Sequence, residues 1–212
     1  ISFQDLWLGY TETFGNKELR YEISKTYDTA KPEHILCFAG AEEGLYVAMR
    51  VLLRHNDHAI IVVPNYQAAE TIPLDICEAS GVPLNPEENW SLDIDRVKNE
   101  IRPNTKLVSI NFPNNPTGAI LAKERLDELI RICRNRGLYL FSDEVYRLLE
   151  RDTKLRLPQI ADIYERGISL NVMSKAYGLP GLRLGWIMCK DKTILQNMER
   201  YKHYLSICNS AP

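Results

Sequence analysis

Short, continuously apolar runs alternate along this chain with stretches whose apolar residues recur every three or four positions. The runs at 35–38, 59–63, 107–111, 138–141, 168–173 and 185–189 predict strands, and most lack the alternation of a strand with one wet face. Such strands are buried on both sides. Leu45, Ala48, Met49, Leu52 and Leu53 repeat at helical spacing, as do Leu126, Leu129, Ile130 and Cys133 ahead of Gly137, a natural helix terminator. Residues 67–79 form a further helix candidate, which Pro73 should kink or shorten. The polar stretch 199–204 reads as the wet face of a final helix. This alternation predicts the α/β class, a mostly parallel sheet between two layers of helices in a three-layer αβα sandwich.

Composition narrows the function. The 212 residues are 45% hydrophobic, ample for a buried core, and their 26 basic and 28 acidic side chains give a net charge of -2. No basic excess advertises nucleic acid, and no apolar run approaches the roughly 18 residues of a membrane span. The five cysteines, Cys37, Cys77, Cys133, Cys189 and Cys208, never pair as C-x-x-C and sit among apolar neighbours. They read as small buried thiols in a reducing compartment, with the cytoplasm expected. His34, His55, His58 and His203 show no ligand spacing, so no metal site is expected. Because the chain opens at Ile1 and stops just past a helical pattern, it is expected to be part of a longer polypeptide.

In a wound sheet, ligands bind beyond the carboxyl ends of the strands, which makes the residue after each apolar run informative. After 35–38, Ala39 to Gly44 is a small-residue turn opening a helix; it suits a phosphate, or serves as a plain strand-to-helix turn. After 59–63, Tyr66 is placed either to stack on a planar ligand or to pack. After 107–111, two prolines and a glycine fix a loop around Asn115, which orients a ligand or caps the next helix. After 138–141, Asp143 and Tyr146 put a carboxylate and a phenol at a buried strand end; Asp143 needs a cationic or hydrogen-bonding partner there, or caps a helix. After 168–173, Lys175 fits an amine that forms a Schiff base better than it fits surface decoration, and Arg183 offers a planar fork of donors for a phosphate.

Asn-Asn-Pro-Thr-Gly from Asn114, Asp-Glu-Val-Tyr from Asp143, and Ser-Lys from Ser174 followed by Gly-Leu-Pro-Gly-Leu-Arg resemble, in that order, the class I/II aminotransferases of the fold-type I pyridoxal-phosphate enzymes. Gly9-Tyr10, Gly15 and Leu19-Arg20 extend the likeness toward the start. The resemblance implies that residues 1–212 form the cofactor-binding large domain, with a preceding segment and a smaller C-terminal domain lying outside. It implies that Lys175 forms the Schiff base with pyridoxal 5'-phosphate and shuttles a proton, while Asp143 pairs with the ring nitrogen. Tyr146 and Asn115 would bond the ring oxygen, and Asn115 could also steady the substrate carboxylate. Tyr66 would stack on the ring, and Gly40, Ala41, Glu42 and Arg183 would hold the phosphate. Val172 stands where many relatives carry a phosphate-binding serine, leaving Ser174 or the amides to serve. Tyr10 would reach the phosphate of a neighbouring subunit, making the working unit a homodimer with shared sites. The implied reaction moves an amino group between an amino acid and a 2-oxo acid, although the same constellation also serves β-elimination, decarboxylation or ring closure. A non-catalytic cofactor-binding domain, or an inert fragment of an enzyme, is the remaining alternative. The arginine that commonly clamps the substrate carboxylate is expected outside this chain.

Overall fold

The computed structural model describes residues 9–210. Seven strands form one sheet: β1 (Ile35–Phe38), β2 (His58–Val63), β3 (Glu78–Pro83), β4 (Thr105–Asn111), β5 (Tyr139–Asp143), β6 (Gly167–Val172) and β7 (Gly185–Cys189). Their order is β1-β7-β6-β5-β4-β2-β3, and every pairing is parallel except those that β7 makes with β1 and β6. The α/β expectation holds, with one antiparallel strand.

Both faces of the sheet are covered, which accounts for the unbroken apolar runs. Leu36, Phe38, Leu107, Phe141, Ile168 and Leu170 point to the side where α2 (Ala41–Leu52), α3 (Gln67–Ile76) and α7 (Lys192–Lys202) pack. Ile60, Val62, Val108, Ile110 and Leu140 point to the other side, against α4 (Ile94–Glu100) and α5 (Lys123–Arg136). The outer face of β1 and β7 is closed by Ile23 of α1 (Lys17–Ser24), by Tyr27, and by Ala161 of α6 (Ile160–Ile163). Because strand side chains alternate, the phase of each strand decides which residues reach which layer.

Three expectations need correction. The helix expected over 67–79 ends at Ile76, with Pro73 inside its last turn, and 78–83 is instead the edge strand β3. That strand is mostly wet and carries Gly81 and Pro83, so it has no apolar run to betray it. Within the polar stretch 199–204, Lys202 is not on a wet face but fully buried. Its ammonium donates to the carbonyls of Thr13 and Cys37 (each 2.6 Å) and to Asn209 Oδ1 (2.9 Å), and these acceptors are what allow a cation to be buried there. Among the cysteines, all are free and four are buried, but Cys208 is only half-buried.

Candidate functional site

The carboxyl ends of β4, β5 and β6 open on the α2 face into a cleft of about 300 Å³. Parallel register aligns Asn111 with Asp143 and Asp143 with Leu170, so residues far apart in sequence end at one level. Of the residues singled out from the sequence, Ala41, Glu42, Tyr66, Asn115, Asp143, Tyr146, Ser174, Lys175 and Arg183 all line this cleft. Gly40 borders it, at the turn into α2. Tyr10 does not: it is 80% exposed and absent from the cleft wall of its own chain.

The acidic end is dry. Asp143 is 6% exposed, and its Oδ1 accepts only the Val145 amide (3.2 Å) among the described residues. Burial lifts its carboxyl from the ordinary carboxylate range to about 6, against the pull of that amide and of the Lys175 charge. Lys175 lies on the turn after β6, exposed into the cleft mouth, with its amine 5.3 Å from the centre of the Tyr146 ring. Leu170 and Val172, alternating on β6, form an apolar wall with Leu45 and Val145. Tyr66 also lines the cleft, half in solvent, and its phenol is pushed up chiefly by the neighbouring Glu42 carboxylate and secondarily by burial.

The opposite end gathers donors. Gly40 has φ +93°, and no side chain caps the start of α2, so its first amides stay available. A Cβ on Gly40 would stand 2.6 Å from Arg183 Nη2, so only glycine lets the guanidinium lie against this turn. A Cβ on Gly185 would meet the Ala41 nitrogen and Gly40 carbon, each at 2.6 Å, so β7 is a glycine where α2 starts. Amides at a helix start, a guanidinium, the Ser174 hydroxyl and the Lys175 amine make a donor set for an anion. With a buried acid at the far side, the cleft suits a flat molecule that is anionic at one end and basic at the other.

Sequence reasoning missed Asn111, the last residue of β4. It is buried in the cleft wall, where its amide donates to the Asp143 carbonyl (3.0 Å) and its Oδ1 accepts from the Asn115 backbone (2.7 Å). Asn114 ties the same loop down, donating to the Pro64 carbonyl (3.1 Å) while its Oδ1 accepts from the Thr117 amide and hydroxyl. The available signal was an asparagine closing an apolar run. Among the described residues no group of three or more His, Cys, Asp or Glu side chains is placed to hold a metal, and no helix is long and apolar enough to cross a membrane.

A seven-stranded, mostly parallel sheet with helices on both faces matches the large domain of an aminotransferase. Residues 3–212 match the family described as aminotransferase class I and II, and the chain belongs to it. It is 32% identical over 194 residues to an aspartate aminotransferase of Pyrococcus horikoshii, covering 89% of this chain and 50% of that protein. A PLP-dependent aminotransferase from Streptococcus suis superposes with a TM-score of 0.91 at 34% identity, over 98% of this chain and 55% of the other. An aromatic aminotransferase from Pyrococcus horikoshii superposes at 0.90 with 27% identity, over 96% and 57%. The chain thus spans about half the length of the curated relatives it matches.

Proposed function

We propose that this chain is the large-domain portion of an aminotransferase that holds pyridoxal 5'-phosphate in the cleft and moves an amino group between an amino acid and a 2-oxo acid. The observation that carries the proposal is that one cleft brings the Lys175 amine, the buried Asp143 carboxyl and the Gly40–Arg183 donor set together, within a chain belonging to the class I and II family. When bound, this cofactor supplies an aldehyde that condenses with amines and a protonated ring that accepts the electron pair left behind by the substrate's departing Cα proton.

Lys175 would supply the amine for that aldehyde, and its nitrogen, open to the cleft, would hold and move the substrate Cα proton. Asp143 would pair with the protonated ring nitrogen; a carboxyl left with one amide partner in a dry wall is stabilised as an anion by a cation placed against it. Tyr146 and Asn115 would hold the ring oxygen, and Tyr66 would stack on the ring. The amides of Ala41 and Glu42, the Ser174 hydroxyl and Arg183 would take the phosphate, Gly40 serving through the open turn it allows because its own amide donates to the Phe38 carbonyl (2.8 Å). The exposure of Tyr10, outside its own cleft, supports its reaching the phosphate of a second subunit in a homodimer with shared sites, and the free cysteines support a reducing, cytoplasmic location. The named relatives act on aspartate in one case and aromatic amino acids in another, so the amino donor is left at the level of an α-amino acid.

Adding pyridoxal phosphate to the protein should produce a visible absorbance band that borohydride abolishes and that lodges the label on the Lys175 peptide. Lys175→Ala should lose the covalent label and all amino-group transfer while keeping phosphate-anchored binding. A label fixed on another residue of the unaltered protein, or transfer that persists in Lys175→Ala, would remove Lys175 from its role.

A further inference from the structure

The anion cradle is held from behind by the last part of the described chain. Three backbone groups, two at the end of β1 and one in the turn that follows, are tied to side chains of this last part and of α2. Lys202 donates to the Cys37 carbonyl (2.6 Å), and Asn209 Nδ2 donates to the Phe38 carbonyl (2.7 Å). Lys202 and Asn209 also bond each other at 2.9 Å. Glu43, in the first turn of α2, completes the tie: its Oε2 accepts the Ala39 amide at 2.6 Å and its Oε1 the Ser206 amide at 3.1 Å. Cys37, Phe38 and Ala39 thus have their backbone registered against residues 202–209, immediately before Gly40. The Thr11 hydroxyl and the Thr13 carbonyl join the same knot through Asn209 and Lys202.

None of Lys202, Asn209 and Glu43 lines the cleft. The turn they grip is nevertheless pinned on its other side by Gly185 of β7, whose backbone lies so close to Gly40 and Ala41 that a single added carbon would not fit. With so little slack, a shift of the turn by a fraction of an ångström misdirects the amides at the start of α2, since hydrogen-bond strength falls steeply with angle. We propose that Lys202, Asn209 and Glu43 are positioning residues for the phosphate cradle, fixing the β1–α2 turn so that its amides and Arg183 converge on one anion. This rests on the proposed function. It also makes the segment 202–209, the part of the described chain nearest its carboxyl end, a mechanical partner of cofactor binding.

The test compares pyridoxal phosphate with pyridoxal, which carries the same aldehyde without the phosphate, titrated by absorbance into the full chain and its variants. Glu43→Gln is the informative variant. Charge alone predicts tighter phosphate binding when an acidic side chain near the cradle is neutralised; positioning predicts weaker binding, because an amide side chain cannot accept from both Ala39 and Ser206. We expect Glu43→Gln and Asn209→Ala to weaken pyridoxal phosphate by about tenfold. Pyridoxal should change by less than about twofold, and the ³¹P resonance of bound cofactor should shift. Lys202→Met is expected to follow, with Lys202→Arg recovering part of the loss. Parallel loss of both ligands, or unchanged or tighter phosphate binding in Glu43→Gln, would overturn the positioning role. If the unaltered protein binds both compounds equally, or if Arg183→Leu leaves the preference intact, the cradle itself is not a phosphate site and the underlying function fails with it.

Discussion

Asp143 and Glu144 are neighbours on one strand end, both buried carboxyls, and they live in opposite worlds. Asp143 faces the cleft and accepts one amide; Glu144 faces the other layer, where the Ile160 amide and the Ser169 hydroxyl both donate to its Oε1 at 2.9 Å and the Asn171 amide approaches its Oε2 at 3.4 Å. Asn171 extends this network to Gln159 and to the Tyr27 hydroxyl, which also accepts from the Trp186 indole. Burial raises both acids, Asp143 to about 6 and Glu144 to about 7, the donors around Glu144 only partly offsetting the desolvation. The lesson is that burial and a raised pKa do not separate a working acid from a structural one. What separates them is the unfilled hydrogen-bonding capacity: Asp143 keeps it on the cleft side, whereas Glu144 has spent it on three residues of two other elements, α6 and β6.

The largest expected difference is in activity. Asp143→Asn should bind pyridoxal phosphate yet lose amino-group transfer by at least about a hundredfold, since an amide cannot stabilise a protonated ring nitrogen. Glu144→Gln should leave the rate within a few fold. Equal losses in kcat for the two variants would erase the distinction.

In stability the order should reverse. Glu144→Ala strands the Ile160 amide and Ser169 hydroxyl in a dry layer and should cost about 2–4 kcal/mol in urea unfolding. Asp143→Ala, which frees one amide beside an open cleft, should cost clearly less. A larger loss for Asp143→Ala would mean that the cleft acid is the structural one.

The smallest effect is in the pH dependence of the cofactor-free protein. A carboxyl whose pKa is higher in the fold than in the unfolded chain favours the protonated protein, so its contribution is complete at about pH 4 and declines as pH rises through about 6 for Asp143 and about 7 for Glu144. Each decline is on the order of 1–3 kcal/mol. Glu144→Gln should flatten the upper part of the curve, and bound pyridoxal phosphate should flatten the part belonging to Asp143 alone. Unfolding midpoints across that pH range, with and without cofactor, provide the check; a flattening by cofactor in Asp143→Asn equal to that in the unaltered protein would refute the assignment.

Much of the cleft was legible because a parallel sheet imposes order on its own carboxyl ends. Lys175, Asp143, Tyr146, Asn115, Tyr66 and the Gly40 turn each follow a run of apolar residues, and register brings those ends to one level whatever the loops do. Asn111 escaped notice because it closes a strand rather than following it, and its partners Asp143 and Asn115 are recognised only once β4 and β5 are paired. The edge strand β3 escaped for a different reason. Wet on most of its length, it needed no apolar pattern, and its pairing to β2 supplies what its sequence does not announce.

From sequence alone came the class of fold, both buried faces of the central strands, and the amine, acid and turn that carry the proposed chemistry, since hydrophobic period and local turn residues are properties of neighbouring positions. Only the tertiary structure decided which of two adjacent carboxyls is satisfied and that Lys202 is buried against carbonyls 165 and 189 residues away. Those outcomes depend on where hydrogen-bond donors and acceptors from distant elements come to rest, and a cation or a carboxyl can leave water only after such partners have been brought to it.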